Sequence, residues 1–159
     1  ATGTKDATTF LRGDNTFAVP TDNGKVLQVV TATDSTARST TSASYVTASN
    51  TLSISITPSS ASSKIFLIFN GAFYSSNEGL YTFFRDSTNL ATNANACFAF
   101  FKGVSYGSLD TLQMGMSFLD SPSSTSALTY QVYLRRGASG TAYINNDSNS
   151  VITAFEIAG

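Results

Sequence analysis

Apolar residues recur in this chain at every second position and nowhere sustain the 3.6-residue period of a helix, which restricts the fold to β-structure. Leu52, Ile54 and Ile56 alternate with Ser53 and Ser55, and Leu112, Met114, Met116 and Phe118 alternate with Gln113, Gly115 and Ser117. Leu128, Tyr130, Val132 and Leu134 repeat the pattern, and Val151, Thr153, Phe155 and Ile157 are expected to form the last inward face. Such alternation marks antiparallel strands with one face wet and one face packed.

Turn clusters separate these runs: Thr57-Pro58-Ser59-Ser60, Asp120-Ser121-Pro122-Ser123, Arg136 to Gly140 and Asn145 to Asn149. Their regular spacing suggests a sandwich or a jelly roll. The Thr- and Ser-rich stretch from Thr31 to Ser44 is expected to be a loop crossing between sheets. Ile65-Phe66-Leu67-Ile68-Phe69 breaks the alternation because it is apolar at every position, so both of its faces need cover. An antiparallel sandwich core covers one, and packing against copies of the same chain supplies the other. Phe83-Phe84 and Phe98 to Phe101 raise the same question.

The opening segment TFLRGDNTFAVP reads as a small hairpin. Gly13 is the residue that tolerates a left-handed backbone, Asp14 and Asn15 follow it into the reversal, and Pro20 ends the pairing. A hairpin of this size leaves Phe10, Leu11, Phe17 and Val19 uncovered. Arg12-Gly13-Asp14 also spells the tripeptide bound by animal adhesion receptors, and turn chemistry accounts for it without that role.

The 159 residues are enough for one domain with a short N-terminal appendage, and the opening Ala1 suggests the C-terminal piece of a longer chain. Charged residues make up 12% and the formal net charge is -1, which argues against a nucleic-acid surface or a polybasic membrane anchor. No apolar run is long enough to span a bilayer. The chain has no His, which removes Ser-His-Asp and Cys-His catalysis and the commonest transition-metal ligand. Cys97, in the apolar setting Ala96-Cys97-Phe98, is expected to be a buried, inert thiol.

TTFLRGDNTFAVP resembles the short segment ahead of the distal domain in many tail fibre proteins of tailed bacteriophages, with Asn15 in place of a glycine and Phe17 in place of a tryptophan. ITPSSASSKIFLIF, FLDSPSSTSALTYQVYLRR, GTAYINN and ITAFEIAG are similar to a C-terminal fibre-tip module of phages. The resemblance is specific in Thr57 to Phe69 and Phe118 to Gly159 and weaker from Asn70 to Leu112. It implies a homotrimeric tip at the distal end of a virion's tail fibre, binding a bacterial surface glycan or outer-membrane protein. On this reading residues 1–24 form a shaft-junction hairpin segment and residues 25–159 an antiparallel β-sandwich of jelly-roll type. The partners are two further copies, the rest of the fibre and the host surface, with no nucleic acid, membrane insertion or cofactor.

Recognition is expected between Tyr74 and Asp110, where Tyr74, Asn77, Glu78, Tyr106 and Asp110 are candidate receptor-binding residues on loops. Tyr rings stack on sugars, while Asn, Asp and Glu bond hydroxyls. The turns at Ser123, Ser139 and Asn146 are expected at the opposite end of the sandwich. No residue is assigned to catalysis. A capsule depolymerase needs two facing carboxylates, whereas Glu78, Asp86 and Asp110 are scattered and Glu156 is expected to be a rim or partner-bonded residue. Asn145 to Asn149 offers oxygens without EF-hand spacing, so no metal is assigned. The rival function is a purely structural cap that closes the trimer.

Overall fold

A computed structural model describes residues 1–19, 24–102, 112–145 and 148–159. Among these the strands are β1 Phe10–Leu11, β2 Phe17–Ala18, β3 Val26–Asp34, β4 Arg38–Thr40, β5 Val46–Thr47, β6 Ser53–Ile56 and β7 Lys64–Ser75. They continue with β8 Glu78–Arg85, β9 Thr88–Asn89, β10 Ala99–Lys102, β11 Leu112–Asp120, β12 Leu128–Arg136, β13 Ala142–Ile144 and β14 Ser150–Ile157. The protein is all-β, and every strand pairing among the described residues is antiparallel.

Register shows how the sheets are laid out. Phe73 pairs with both Leu112 and Ile144, so β11 and β13 flank β7 on opposite edges; β14 also lies opposite β11, end to end with β13. One sheet therefore runs β11, β7, then β13 with β14, then β4 with β3. By the same logic the other runs β9 with β10, β8, β12, then β5 with β6. Residues of both sheets share a single core: Leu67, Phe69, Phe73 and Ile152 from one, Tyr81, Phe83, Tyr130, Val132 and Leu134 from the other.

The alternation of β6 and β12 faces as expected, with Ile54, Ile56, Leu128, Tyr130, Val132 and Leu134 buried; in β11 Met116 is buried, Met114 and Phe118 are half-buried, and Leu112 at the strand's start is 47% exposed. The β14 expectation is inverted. Ser150, Ile152, Ala154 and Glu156 face the core, while Val151, Phe155 and Ile157 lie on the outer face. Both faces of β14 carry apolar residues, so alternation could not say which was inner. Ile65, Leu67 and Phe69 of the neighbouring β7 already fill the interior, which leaves room beside Leu67 for Ala154.

Thr31 to Ser44 is also corrected. Thr31 to Asp34 continue β3 and Arg38–Thr40 form β4, so much of this stretch is edge strand. Thr31 and Thr33 pair with Thr153 and Val151, with their β-branched side chains outward.

The hairpin forms as expected, with Phe10 opposite Ala18 and Leu11 opposite Phe17, but its turn differs. Asn15 takes the positive φ of 63° and Gly13 does not; Asp14 accepts bonds from the N–H and hydroxyl of Thr16 at 3.1 and 2.6 Å. A Cβ at Gly13 would meet nothing within 4 Å. Gly13→Val should therefore leave the hairpin intact, whereas Asn15→Val forces a β-branched residue into the left-handed region and should weaken it by about 1–2 kcal/mol. Amide exchange at Arg12 and Phe17 measures the difference, and equal effects would contradict the turn geometry.

Candidate functional site

β7 and β8 belong to different sheets, and Ser76 and Asn77 make the short turn between them at what we term the far end. The loop after β12 is laid against this turn. Gly137 N–H donates to Glu78 O at 2.8 Å, Ser76 N–H to Thr141 O at 3.1 Å, and Thr141 N–H to Ser76 Oγ at 2.9 Å. Asn77 Nδ2 donates to Ser139 Oγ at 2.6 Å. Glu78 Oε2 accepts from Ala138 N–H at 2.9 Å and its Oε1 lies 3.5 Å from Lys102 Nζ. The Ala138 bond first, and Lys102 after it, hold the Glu78 carboxyl below its ordinary range against the opposing effect of desolvation. Arg136 ties the base of the loop to Thr41 O and Ala138 O at 2.7 and 2.6 Å. The result is a polar platform built from two connections.

Asn77 lies in the turn and Glu78 opens β8, and both are bonded to the loop after β12. Tyr74 is misplaced by the loop reading: it lies inside β7, 7% exposed, with ring centroids 5.0 Å from Tyr143 and 6.3 Å from Phe101. β7 runs on through Ser75 because β13 pairs with it there, which buries the ring. Tyr106 and Asp110 lie outside the described residues, as does Asn146. Ser139 was expected at the opposite end and instead touches Asn77; only the tertiary fold brings residues 62 apart in sequence together.

The remaining carboxylates sit elsewhere. Asp86, at the other end of β8 from Glu78, accepts from Thr129 N–H at 2.9 Å. The length of β8 keeps these two about 25 Å apart. Asp120 receives Arg85 Nη1 at 2.9 and 2.7 Å on its two oxygens, and the Tyr130 hydroxyl at 2.6 Å. Burial and then the neighbouring Asp120 push the Tyr130 phenol far above its usual range. Cys97 is buried as expected, and burial pushes its thiol up.

Of the two readings of Glu156, rim or partner-bonded, the structure bears out the second. Its Oε1 accepts from Ser59 N–H and Oγ at 2.7 and 2.6 Å, and its Oε2 from Gln28 Nε2 at 2.6 Å. Gln28 Nε2 also reaches Thr57 O, so the carboxylate ties the turn before β7 to β3 and β14. Burial opposes its charge, but the Ser59 hydroxyl and the Gln28 amide outweigh it and bring the pKa down from 4.5 to about 2. A carboxylate depressed on folding stabilises the protein above its unfolded pKa and loses that contribution as pH falls toward the folded value. The charge of Glu156 should therefore contribute about 3 kcal/mol at neutral pH, lost between about 4.5 and about 2. Glu156→Gln should lower the thermal midpoint at neutral pH and flatten its dependence on pH in that window; an unchanged acid profile would refute the role.

A second surface is apolar. On the outer face of the β3, β14, β7 and β11 sheet, Val29, Phe155, Phe66 and Leu119 lie side by side across the strands. Val29 is 54% and Leu119 48% exposed. Next to this row Phe66, Leu119, Ile157, Lys64 and Gly24 line a groove of about 700 Å³. The doubly apolar segment Ile65 to Phe69 thus buries Ile65, Leu67 and Phe69 inside and turns Phe66 and Ile68 to this outer face. Phe84 differs, since its own chain covers it: its ring stacks on Tyr133 at 4.0 Å and meets Tyr45 edge-on at 5.9 Å.

No family model matches the chain, and no curated protein matches it. Among solved structures it is similar to the VP2 subviral particle of infectious bursal disease virus, with a TM-score of 0.41 and 11% identity over 87% of this chain and 34% of that one. A structure of the Gt strain of the same virus gives a TM-score of 0.42 and 13% identity over 100% of this chain and 42% of that one. The chain thus spans less than half the length of either.

Proposed function

We propose that this chain is the distal tip of a tailed-bacteriophage tail fibre, a homotrimer that attaches the virion to the bacterial surface through the loops of its far end. The observation that carries this reading is the separation of two kinds of surface. Gly24 bonds Ala158 O at 2.8 Å and Ser62 bonds Gly159 O at 3.2 Å, so the chain joins its hairpin segment at the near end, beside the apolar groove. Within the hairpin segment Phe10, Leu11 and Val19 are 48%, 54% and 64% exposed. Uncovered apolar surface of this kind fits packing against further copies and the rest of the fibre. The polar platform of Asn77, Glu78 and Ser139 lies at the opposite end, free to meet a host glycan or outer-membrane protein.

The order β3, β14, β7, β11 in one sheet and β6, β12, β8, β10 in the other, interleaved along the chain, supports the jelly-roll form of sandwich. Binding at three sites per fibre raises a weak single-site affinity without a deep pocket. Tyr74 supports the platform from within rather than stacking on ligand.

Fluorescent purified protein incubated with host and receptor-deficient cells tests the reading. Asn77→Ala with Glu78→Ala should reduce adsorption about tenfold or more, each change removing groups worth about 1 kcal/mol. Ser123→Ala, after β11, should leave adsorption unchanged. Full adsorption by the double variant would place the receptor contact elsewhere. No adsorption by the intact trimer would favour the structural cap, which the same apolar surfaces support.

A further inference from the structure

We infer that the sheet of β3, β14, β7 and β11 closes into a ring with two further copies: the free edge of β3 in one copy pairs with the free edge of β11 in the next, and the apolar outer face turns inward onto the three-fold axis. This arrangement rests on the homotrimer proposed above and adds how its copies meet. β3 and β11 are the two margins of the sheet, 9 residues each, and among the described residues neither has a strand on its outer side. Neither carries the Pro or Lys that blunts an edge, and their ladders are irregular only beside Leu27. Long open edges invite pairing with another chain, and closing the sheet removes them.

Three observations select that neighbour. The first is strand direction. β3, β14, β7 and β11 are antiparallel at each step, so the two edges run in opposite directions. Copies related by rotation about an axis along the strands therefore bring β3 against β11 antiparallel, whereas β3 against β3 needs a two-fold axis and leaves both β11 edges open. Second, the outer face is apolar from one edge to the other. The row Val29, Phe155, Phe66, Leu119 begins on β3 and ends on β11, so the next copy continues it without a break. From this row toward the far end the outer face of these strands carries no charged residue, as the centre of an interface requires. Third, the dimensions fit three copies. Strands about 4.8 Å apart make this part of the sheet about 19 Å wide. Three such sides enclose a triangle whose centre lies about 5–6 Å from each sheet, close to half of the roughly 10 Å at which facing sheets pack. Four copies would leave the centre about 10 Å away, an open channel that these side chains do not fill. Strands about 30 Å long give each face roughly 570 Å² before side-chain relief, and the two edges bring it toward the about 800 Å² per partner of a specific interface. Ile65 to Phe69 is then covered on both sides.

The test is cross-linking between copies. Thr31 and Ser117 lie at one level of the sheet, midway along β3 and β11, and both are exposed. Within one copy three strand spacings, about 14 Å, separate them, which a short bis-maleimide does not bridge. Cys97 is buried and stays unreacted. Co-expressed Thr31→Cys and Ser117→Cys chains should give a covalent dimer holding one of each, and either variant alone should give monomer on a denaturing gel. Chains carrying both changes should link into closed trimers. Absence of the mixed dimer, or cross-linking by Thr31→Cys or Ser117→Cys alone, would overturn the edge pairing. Amide exchange on the unaltered protein is the second measurement. Alternate N–H groups of β3 and β11, left unpaired by the protomer, should exchange at least about tenfold more slowly than exposed turn amides, and fast exchange along both edges would equally overturn it. Mass and adsorption to host cells are read separately. A trimer that adsorbs without the mixed dimer leaves the tip reading standing and this one lost, and a cross-linked ring that does not adsorb does the reverse.

Discussion

Phe73→Ala is expected to destabilise the protein by about 4 kcal/mol, read as a lowered denaturant midpoint. Phe73 is 0% exposed and stands in a stack that crosses the core, its ring centroid 5.3 Å from Phe69 and 3.8 Å from Tyr81. Tyr81 belongs to the opposite sheet, and its hydroxyl, 2.7 and 2.8 Å from Tyr74 O and Tyr143 O, shares its one proton between them and ties the sheets together at the foot of the platform. Removing Phe73 leaves a cavity between rings that these bonds prevent from collapsing. Phe84→Ala is the comparison, because its ring stacks on the outside of the other sheet and should cost about 1–2 kcal/mol. Equal losses would mean that the core does not lie where the register puts it.

Val29→Lys combined with Leu119→Lys is expected to convert the proposed homotrimer to monomers at micromolar concentration, seen by light scattering or native mass spectrometry. Both side chains are about half exposed in the protomer, so lysine there should change protomer stability by no more than about 0.5 kcal/mol. In a trimer built on this face the same lysines would bury unpaired charge at each interface, which association does not tolerate. A wild-type monomer would remove the trimer altogether. A trimer that survives the double substitution would move the interface off this sheet, leaving the exposed hairpin residues Phe10, Leu11 and Val19 as the association surface.

Much of the candidate platform was legible in part. The turn at Ser76 and Asn77 was legible because polar residues interrupt two apolar runs, which is what a connection between buried strands requires. Ser139 was assigned to the wrong end because a loop's position depends on how many strands separate it from its partner, and local chemistry carries no such count. The inward-facing Asp34, bonded to Thr36 N–H and Arg38, was missed, because it looks like an ordinary polar residue at a strand end. The only available signal was a carboxylate followed two and four residues on by Thr36 and Arg38, and that pattern is common on exposed surfaces.

By itself the sequence determined that this protein is β-structured, where most strands lie, that the hairpin at Arg12 forms, and that Ile65 to Phe69 has apolar residues on both sides. Those are consequences of side-chain period and of Gly, Pro, Asn and Asp chemistry, which act within a few residues. Only the tertiary structure decided which face of β14 is inner, that Tyr74 is buried, and that Glu156 meets Ser59 and Gln28. The physical reason is that strand pairing joins distant segments, as it joins β3 to β14 across almost the whole chain. Where both faces of a strand are apolar, the neighbours it acquires, and not its own alternation, fix which side is buried.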